Sequence, residues 1–131
     1  GPLLFLNAVA GVDMQTGAPV NDLDALPEPV RRQIISGDCY QDRLEGPMLA
    51  QAWTALNNLE RQIESAGVPL DNVLDIIVFM RDVKTNWLPF DRISRWRLTD
   101  PPAITVVETP QPGILGELFT LDVIAAAPEN S

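Results

Sequence analysis

The residues best suited to chemistry in this 131-residue chain are carboxylates, hydroxyls and a single tyrosine, because histidine is absent. Without imidazole there is no Ser-His or Cys-His pair, no histidine general base and almost no route to a zinc site. No acids are spaced around a glycine in the manner of a calcium-binding loop, so neither a metal nor a cofactor is implied. Two groups of oxygen donors remain. Thr120 and Asp122 stand two apart in the apolar run Leu118 to Ala125, and strand alternation puts both on one face. Asp122 is read as the catalytic carboxylate and Thr120 as the hydroxyl beside it that orients the substrate; Glu117 precedes them. If the face is not a cleft, Asp122 instead forms an ion pair with Arg81 or Arg97 across a subunit boundary. The second group, Asp38, Cys39, Tyr40, Asp42 and Glu45, lies in an irregular stretch. Tyr40 is the proton-moving candidate there. Any of the three acids becomes a general acid or base if buried at a subunit boundary, where desolvation lifts a carboxyl pKa; otherwise they form a solvated loop. Cys39 has only Arg43 nearby to favour a thiolate, so it reads as a packed or exposed thiol.

The elements that position these groups follow from patterning. Leu3 to Ala10 reads as an apolar strand, and residues 13–17 as a turn into a second strand near Ala18 to Val20. Residues 21–46 break pattern at Pro27, Pro29 and Gly37, and only Pro29 to Ile35 suits a short helix; so long a connection is commonly functional. Gly46-Pro47 is expected to open the main helix, since proline at the first helical position forfeits no hydrogen bond. Leu49, Ala52, Trp53, Leu56, Leu59 and Ile63 form its buried stripe, Asn57, Glu60, Arg61 and Glu64 its wet side, and Gly67 its C-cap. Asn72 to Met80, interrupted only by Asp75, suits a strand covered on both faces. A second helix runs from Trp87 or Leu88 to Arg97 with Phe90, Ile93 and Arg97 on one face, stopped by Asp100-Pro101-Pro102. Ile104 to Val107 and Leu118 to Ala125 complete the strands. Trp53 belongs to the core, and Trp87 and Trp96 to packing against a neighbouring subunit. The result is an α+β fold: a single mixed β-sheet with two helices on one face, in one domain over 1–131, with 21–46 an expanded loop and 127–131 a tail.

Composition narrows the functions. Hydrophobic residues make up 46% and charged residues 21%, the balance of a globular domain. A net charge of −9 disfavours polyanions, because nucleic-acid affinity comes largely from lysine and arginine on phosphates. A lone cysteine precludes an internal disulfide and fits a reducing compartment. No run reaches the twenty or so apolar residues of a membrane helix, and Leu3 to Val12 lacks the marks of a signal peptide, so neither membrane nor nucleic acid is an expected partner and a cytoplasmic location is the default. Gly1-Pro2 reads as a protease scar, with Leu3 the first native residue.

Taken together, Leu4-Phe5-Leu6-Asn7-Ala8-Val9, Leu56-Asn57-Asn58-Leu59 with Ala66-Gly67, Asp71-Asn72-Val73 through Phe79-Met80-Arg81-Asp82, and Pro101-Pro102-Ala103-Ile104-Thr105-Val106 resemble the Rid (YjgF-like) family. The resemblance covers Leu3 to about Ala126. It implies a chorismate-mutase-like fold, a homotrimer, intersubunit clefts for a small-molecule metabolite, and no cofactor. By position, Asn7 replaces a family serine, Phe90 falls near an asparagine, Thr105 stands where a cysteine or small polar residue is common, and Thr120 replaces a water-orienting glutamate. Ala103 replaces the arginine that holds the substrate carboxylate in the family's deaminases, and alanine offers no donor for that bidentate contact. Arg97 or Arg92 would reach the site only in another register. With Phe90 and Ile104 added, the expected substrate-binding set is Asn7, Phe90, Ala103, Ile104 and Thr105. The expected activity is hydrolysis or tautomerisation of a small imine, enamine or carbonyl compound, 2-aminomuconate being a suggestive class, by a mechanism that dispenses with the arginine. The alternatives are a trimer that binds a metabolite or partner enzyme without chemistry and, third, chorismatase-like chemistry, which would need a cationic clamp.

Overall fold

A computed structural model describes residues 2–34 and 39–127, the side chains of residues 39–41 excepted. The elements run β1 (Leu3–Val9), α1 (Glu28–Ile34), α2 (Cys39–Ser65), β2 (Val73–Met80), α3 (Val83–Arg97), β3 (Ala103–Glu108) and β4 (Phe119–Ala126), with 3-10 turns at Leu23–Ala25 and Leu70–Asn72. The strands form one mixed sheet in the order β1-β4-β2-β3, β4 antiparallel to both neighbours and β3 parallel to β2. A parallel pair needs a crossover, and α3 is that crossover.

Alternation along the strands decides where the core lies. Ile76, Val78 and Met80 of β2, with Phe119, Leu121, Val123 and Ala125 of β4, are buried. They meet Leu49, Leu56, Leu59 and Ile63 from α2 and Phe90 and Ile93 from α3 in one cluster. Each such side chain stabilises the fold by about 1.5–3 kcal/mol relative to exposure. The expected architecture thus holds, with the two long helices on one face. In the chain by itself, however, β2 is covered on that face only.

Three expectations change. Ala18 to Val20 is not a strand: one bridge between Val12 and Pro19 holds the turn, and proline has no N–H with which to extend a ladder. The main helix begins at Cys39 rather than Pro47, which lies inside it; most of the expected 21–46 loop is therefore helical, and Asp42 sits in the first turn of α2, where the helix dipole favours an acid. Finally, α3 starts at Val83 rather than Trp87. Its first N–H groups are taken by the Asp82 carbonyl, which accepts from Thr85 and Asn86, and by the Glu108 carboxylate of β3, which accepts from Val83 at 3.0 Å. A cap supplied by another strand leaves no local signature. Gly67 does close α2 as expected, at φ 77 with Val68 N–H donating back to Ile63 at 2.9 Å.

The inner face of α2 also carries polar groups. Gln51 is fully buried, yet its amide is satisfied: Oε1 accepts from Leu118 N–H at 2.9 Å, and Nε2 donates to Asn21 Oδ1 at 2.6 Å and to the Gly116 carbonyl at 2.9 Å. Asn58, two helical turns on, donates to the carbonyls of Ala10 and Val12 at 3.0 and 2.8 Å. These bonds draw the 10–12 segment so close that a Cβ at Gly11 would stand 2.2 Å from the Gln51 carbonyl oxygen. Backbone cannot yield as a side chain can. Gly11→Ala is therefore expected to cost about 3 kcal/mol in urea denaturation, against about 1 kcal/mol for Gly67→Ala, whose added Cβ meets nothing and pays only for its left-handed backbone. Equal losses would reject close packing as the cause.

Candidate active site

The sheet face turned away from the helices carries the chemistry-bearing residues. Thr105, Ile77 and Asp122 are successive register partners across β3, β2 and β4, and Val107, Phe79 and Thr120 form the next row. At two strand spacings, Thr105 and Asp122 are about 10 Å apart. No element of the described chain lies over this surface at Phe5, which is 61% exposed, or Val107, at 41%.

Asn7 and Asp122 come together in a hollow of ≈ 180 Å³ that they line with Phe5, Asp75, Ile77 and Ile124. Asp122 also shapes the strand beside it. The register of β1 on β4 shifts between Leu6 and Val9, Ala8 turns to φ 56, and Asp122 Oδ1 accepts from Ala8 N–H at 3.0 Å. Within the chain, Asp122 thus bonds to backbone rather than to Arg81 or Arg97. Its second oxygen has no partner among the described residues.

Ala103 lies in register with Asp75, and neither Arg97 nor Arg92 is directed to it. Arg97 lies against the Trp53 ring at 4.3 Å and donates to Asn57 at 2.6 Å and Glu60 at 2.8 Å. Arg92 pairs with Glu45 at 3.0 Å. Both are held on the helix layer, so Asp75 and Asp122 give the open face an acidic character.

Thr120 shares that face but is covered. The 109–117 loop folds over it, its hydroxyl donates to the Pro112 carbonyl at 3.3 Å, and it is buried. Glu117 lies under the same turn, 8% exposed, accepting from Ile114 N–H at 3.1 Å. A Cβ at Gly113 would stand 1.7 Å from the Glu117 carboxylate, which would have to swing aside. Burial pushes the Glu117 carboxyl above its ordinary value, the bond from Ile114 opposing in part. Glu117 is therefore a carboxylate held nearer its protonated form. Its sequence signal was only an acid at the edge of a turn.

Two members of the expected set lie on the far side of the sheet. Ile104 stands between Ala103 and Thr105 on one strand, so the three cannot share a face; it points towards the helices, partly buried. Phe90 is fully buried, edge-on to Phe119 at 5.1 Å and 5.7 Å from Trp87, because its helical spacing with Ile93 places it on the core stripe of α3. Trp53 and Trp96 stack at 5.3 Å within the chain. Cys39 and Tyr40 begin α2, but their side chains, and all of Asp38, lie outside the described residues. Glu45 is engaged by Arg92, and Asp42 too has a partner. Among the described residues, no group of acids and cysteine could hold a metal.

The raised Glu117 pKa fixes a sign. Its contribution to stability is fully present below the ordinary glutamate value, 4.5, and is lost as pH rises through the higher folded-state value. Wild type should therefore lose stability relative to Glu117→Gln between about pH 4 and pH 7, read from urea midpoints of both proteins. A difference that does not change with pH would contradict the burial effect.

No family model and no curated protein matches this chain. Solved structures do. A Klebsiella pneumoniae protein provisionally named an endoribonuclease aligns over 96% of this chain and 93% of its own, with TM-score 0.87 and 28% identity. Escherichia coli TdcF, solved with bound serine, aligns over 98% and 83% with TM-score 0.69 and 16% identity. Rv2704 of Mycobacterium tuberculosis, a member of the YjgF/YER057c/UK114 family, aligns over 61% and 68% with TM-score 0.58 and 21% identity. The last two likenesses speak to fold alone. The chain thus has the fold of the YjgF/YER057c/UK114 proteins, the Rid family that its motifs resemble, and its structural neighbours are proteins of that family.

Proposed function

We propose that three copies of this chain assemble with their open sheet faces inward and act, in the clefts between them, on a small imine, enamine or carbonyl compound. One observation carries this reading. The uncovered face of the sheet is apolar over Phe5, Ile77, Phe79, Val107 and Ile124, yet holds Asn7, Thr105 and Asp122 as a sparse set of hydrogen-bonding groups. An apolar surface punctuated by a few polar groups is the usual build of a small-molecule site. So much exposed apolar area in one patch is also the usual mark of an interface.

The charge on that face selects the substrate. With Ala103 at the arginine position and Asp75 and Asp122 nearby, a substrate carboxylate meets repulsion where the Rid deaminases are expected to clamp it. An uncharged imine or enamine, or a protonated one, is received better. In the simplest reaction water adds to the C=N carbon, a carboxyl group relays a proton to nitrogen, and the C–N bond breaks to leave a carbonyl and ammonia. In this reading Asp122 accepts a proton from water, Asn7 and Thr105 orient the substrate, and Glu117 beside Thr120 supplies a proton. Tyr40 is kept as a further proton carrier. The location is proposed as cytoplasmic, and among the described residues no helix is long and apolar enough to cross a membrane. Endoribonuclease activity is disfavoured by the net charge of −9.

A second reading, a trimer that binds a metabolite or partner without chemistry, is favoured by the structural bond from Ala8 to Asp122. The two separate on ammonia release from 2-iminopropionate, from its uncharged counterpart 2-iminopropionamide, and from 2-aminomuconate. Release is expected to be fastest from the amide and to fall about a hundredfold in Asp122→Asn; silence on all three from an intact trimer would favour the binding protein. Sedimentation of wild type should give three times the 14.4 kDa chain, and Ile77→Asp, which buries an unpaired charge, should give the monomer. A monomeric wild type would remove the proposed clefts.

A further inference from the structure

A larger hollow, ≈ 370 Å³, lies on the other side of the sheet, between α3 and the edge strand β3. Its walls are Trp87, Leu98, Ile104 and Val106, and its rim carries Asp91 and Arg95. Strand alternation separates it from the open face, since Ile104 and Val106 interleave with Ala103, Thr105 and Val107. Its size is at the lower end of small-molecule sites. Trp87 packs against Phe90, ring centroids 5.7 Å apart.

The rim is the informative part. Arg95 Nε donates to Asp91 Oδ2 at 2.9 Å, one helical turn apart. Among the described residues, the two terminal guanidinium nitrogens of Arg95 and the Oδ1 of Asp91 have no further partner. An apolar hollow is thus edged by one free set of cationic donors and one free anionic acceptor, side by side and with no net charge. A singly charged ligand matches one of them and opposes the other. A molecule with both charges on one small head and an apolar tail matches both.

We propose that this hollow binds an apolar α-amino acid as its zwitterion, with the carboxylate on the Arg95 terminal nitrogens, the ammonium on Asp91 Oδ1, and the side chain against Trp87, Leu98, Ile104 and Val106. The site is independent of the chemistry proposed for the open face. It is tested by calorimetric titration of the full chain with L-phenylalanine, with 3-phenylpropanoate, which lacks the ammonium, and with 2-phenylethylamine, which lacks the carboxylate. L-Phenylalanine should bind, and each truncated probe should bind about tenfold more weakly, the loss of one charge-assisted contact. Arg95→Gln and Asp91→Asn should each weaken L-phenylalanine by a similar factor; Arg95 is exposed, so the fold tolerates its loss. Thr105→Val, on the opposite face, should leave binding unchanged. No binding of L-phenylalanine at about 10 mM, equal affinity in wild type and Arg95→Gln, or loss of binding in Thr105→Val would each overturn the proposal.

Discussion

The buried amide of Gln51 is the interaction on which the arrangement of this protein most depends. It sits on the inner face of α2 and spends its oxygen on Leu118 and its nitrogen on Asn21 and Gly116. The chain entering β4 and the chain leaving the first turn are thereby tied to one helix position. Asn58 repeats the device on Ala10 and Val12. A buried amide with every bond made costs little, while one left unpaired costs about 1–3 kcal/mol per group, so the loops around it have little freedom to move. The hold extends to Glu117, one residue before Leu118, and through it to the turn that covers Thr120.

From that anchoring follows an unusual division of carboxylates. Asp122 sits on the open face with one oxygen bonded to backbone, while Glu117 is folded beneath the turn that carries Gly113. Burial holds the second nearer its protonated form, while the first accepts a backbone bond on the open face. Two carboxylates in different environments can divide the acid and base roles between them. Arg92 and Arg97, the two arginines expected to reach the site in another register, are engaged on the helix layer with Glu45 and with Glu60, Asn57 and Trp53. The open face is left acidic and apolar.

Much of this was legible in the chain. The strands, the core stripe of α2, the Gly67 stop and the α+β order came from periodicities that depend only on neighbours in sequence. Placing Thr120 and Asp122 on one face followed from alternation, and the Rid resemblance pointed to the fold that the structural neighbours share. Alternation also separates Ile104 from its neighbours: Ala103, Ile104 and Thr105 are consecutive on one strand, so Ile104 points to the helices. Phe90 carried a similar warning, sharing a helical stripe with Ile93. Gln51 and Asn58, spaced seven apart on the inner face of a long helix, were a signal of buried polar groups that hydrophobic patterning does not count.

What the sequence determined by itself is therefore what short-range chemistry can specify: element types, the inward and outward sets of side chains, the absence of histidine chemistry, and an alanine where a cationic clamp was expected. Tertiary structure decided the rest. The early start of α3 required a carboxylate from β3, the start of α2 upstream of Pro47 emerged only in the folded chain, and the burial of Glu117 required a loop to close over it. The Glu108 cap of α3 joins groups 25 residues apart, and no local pattern records a contact whose partner is elsewhere in the chain.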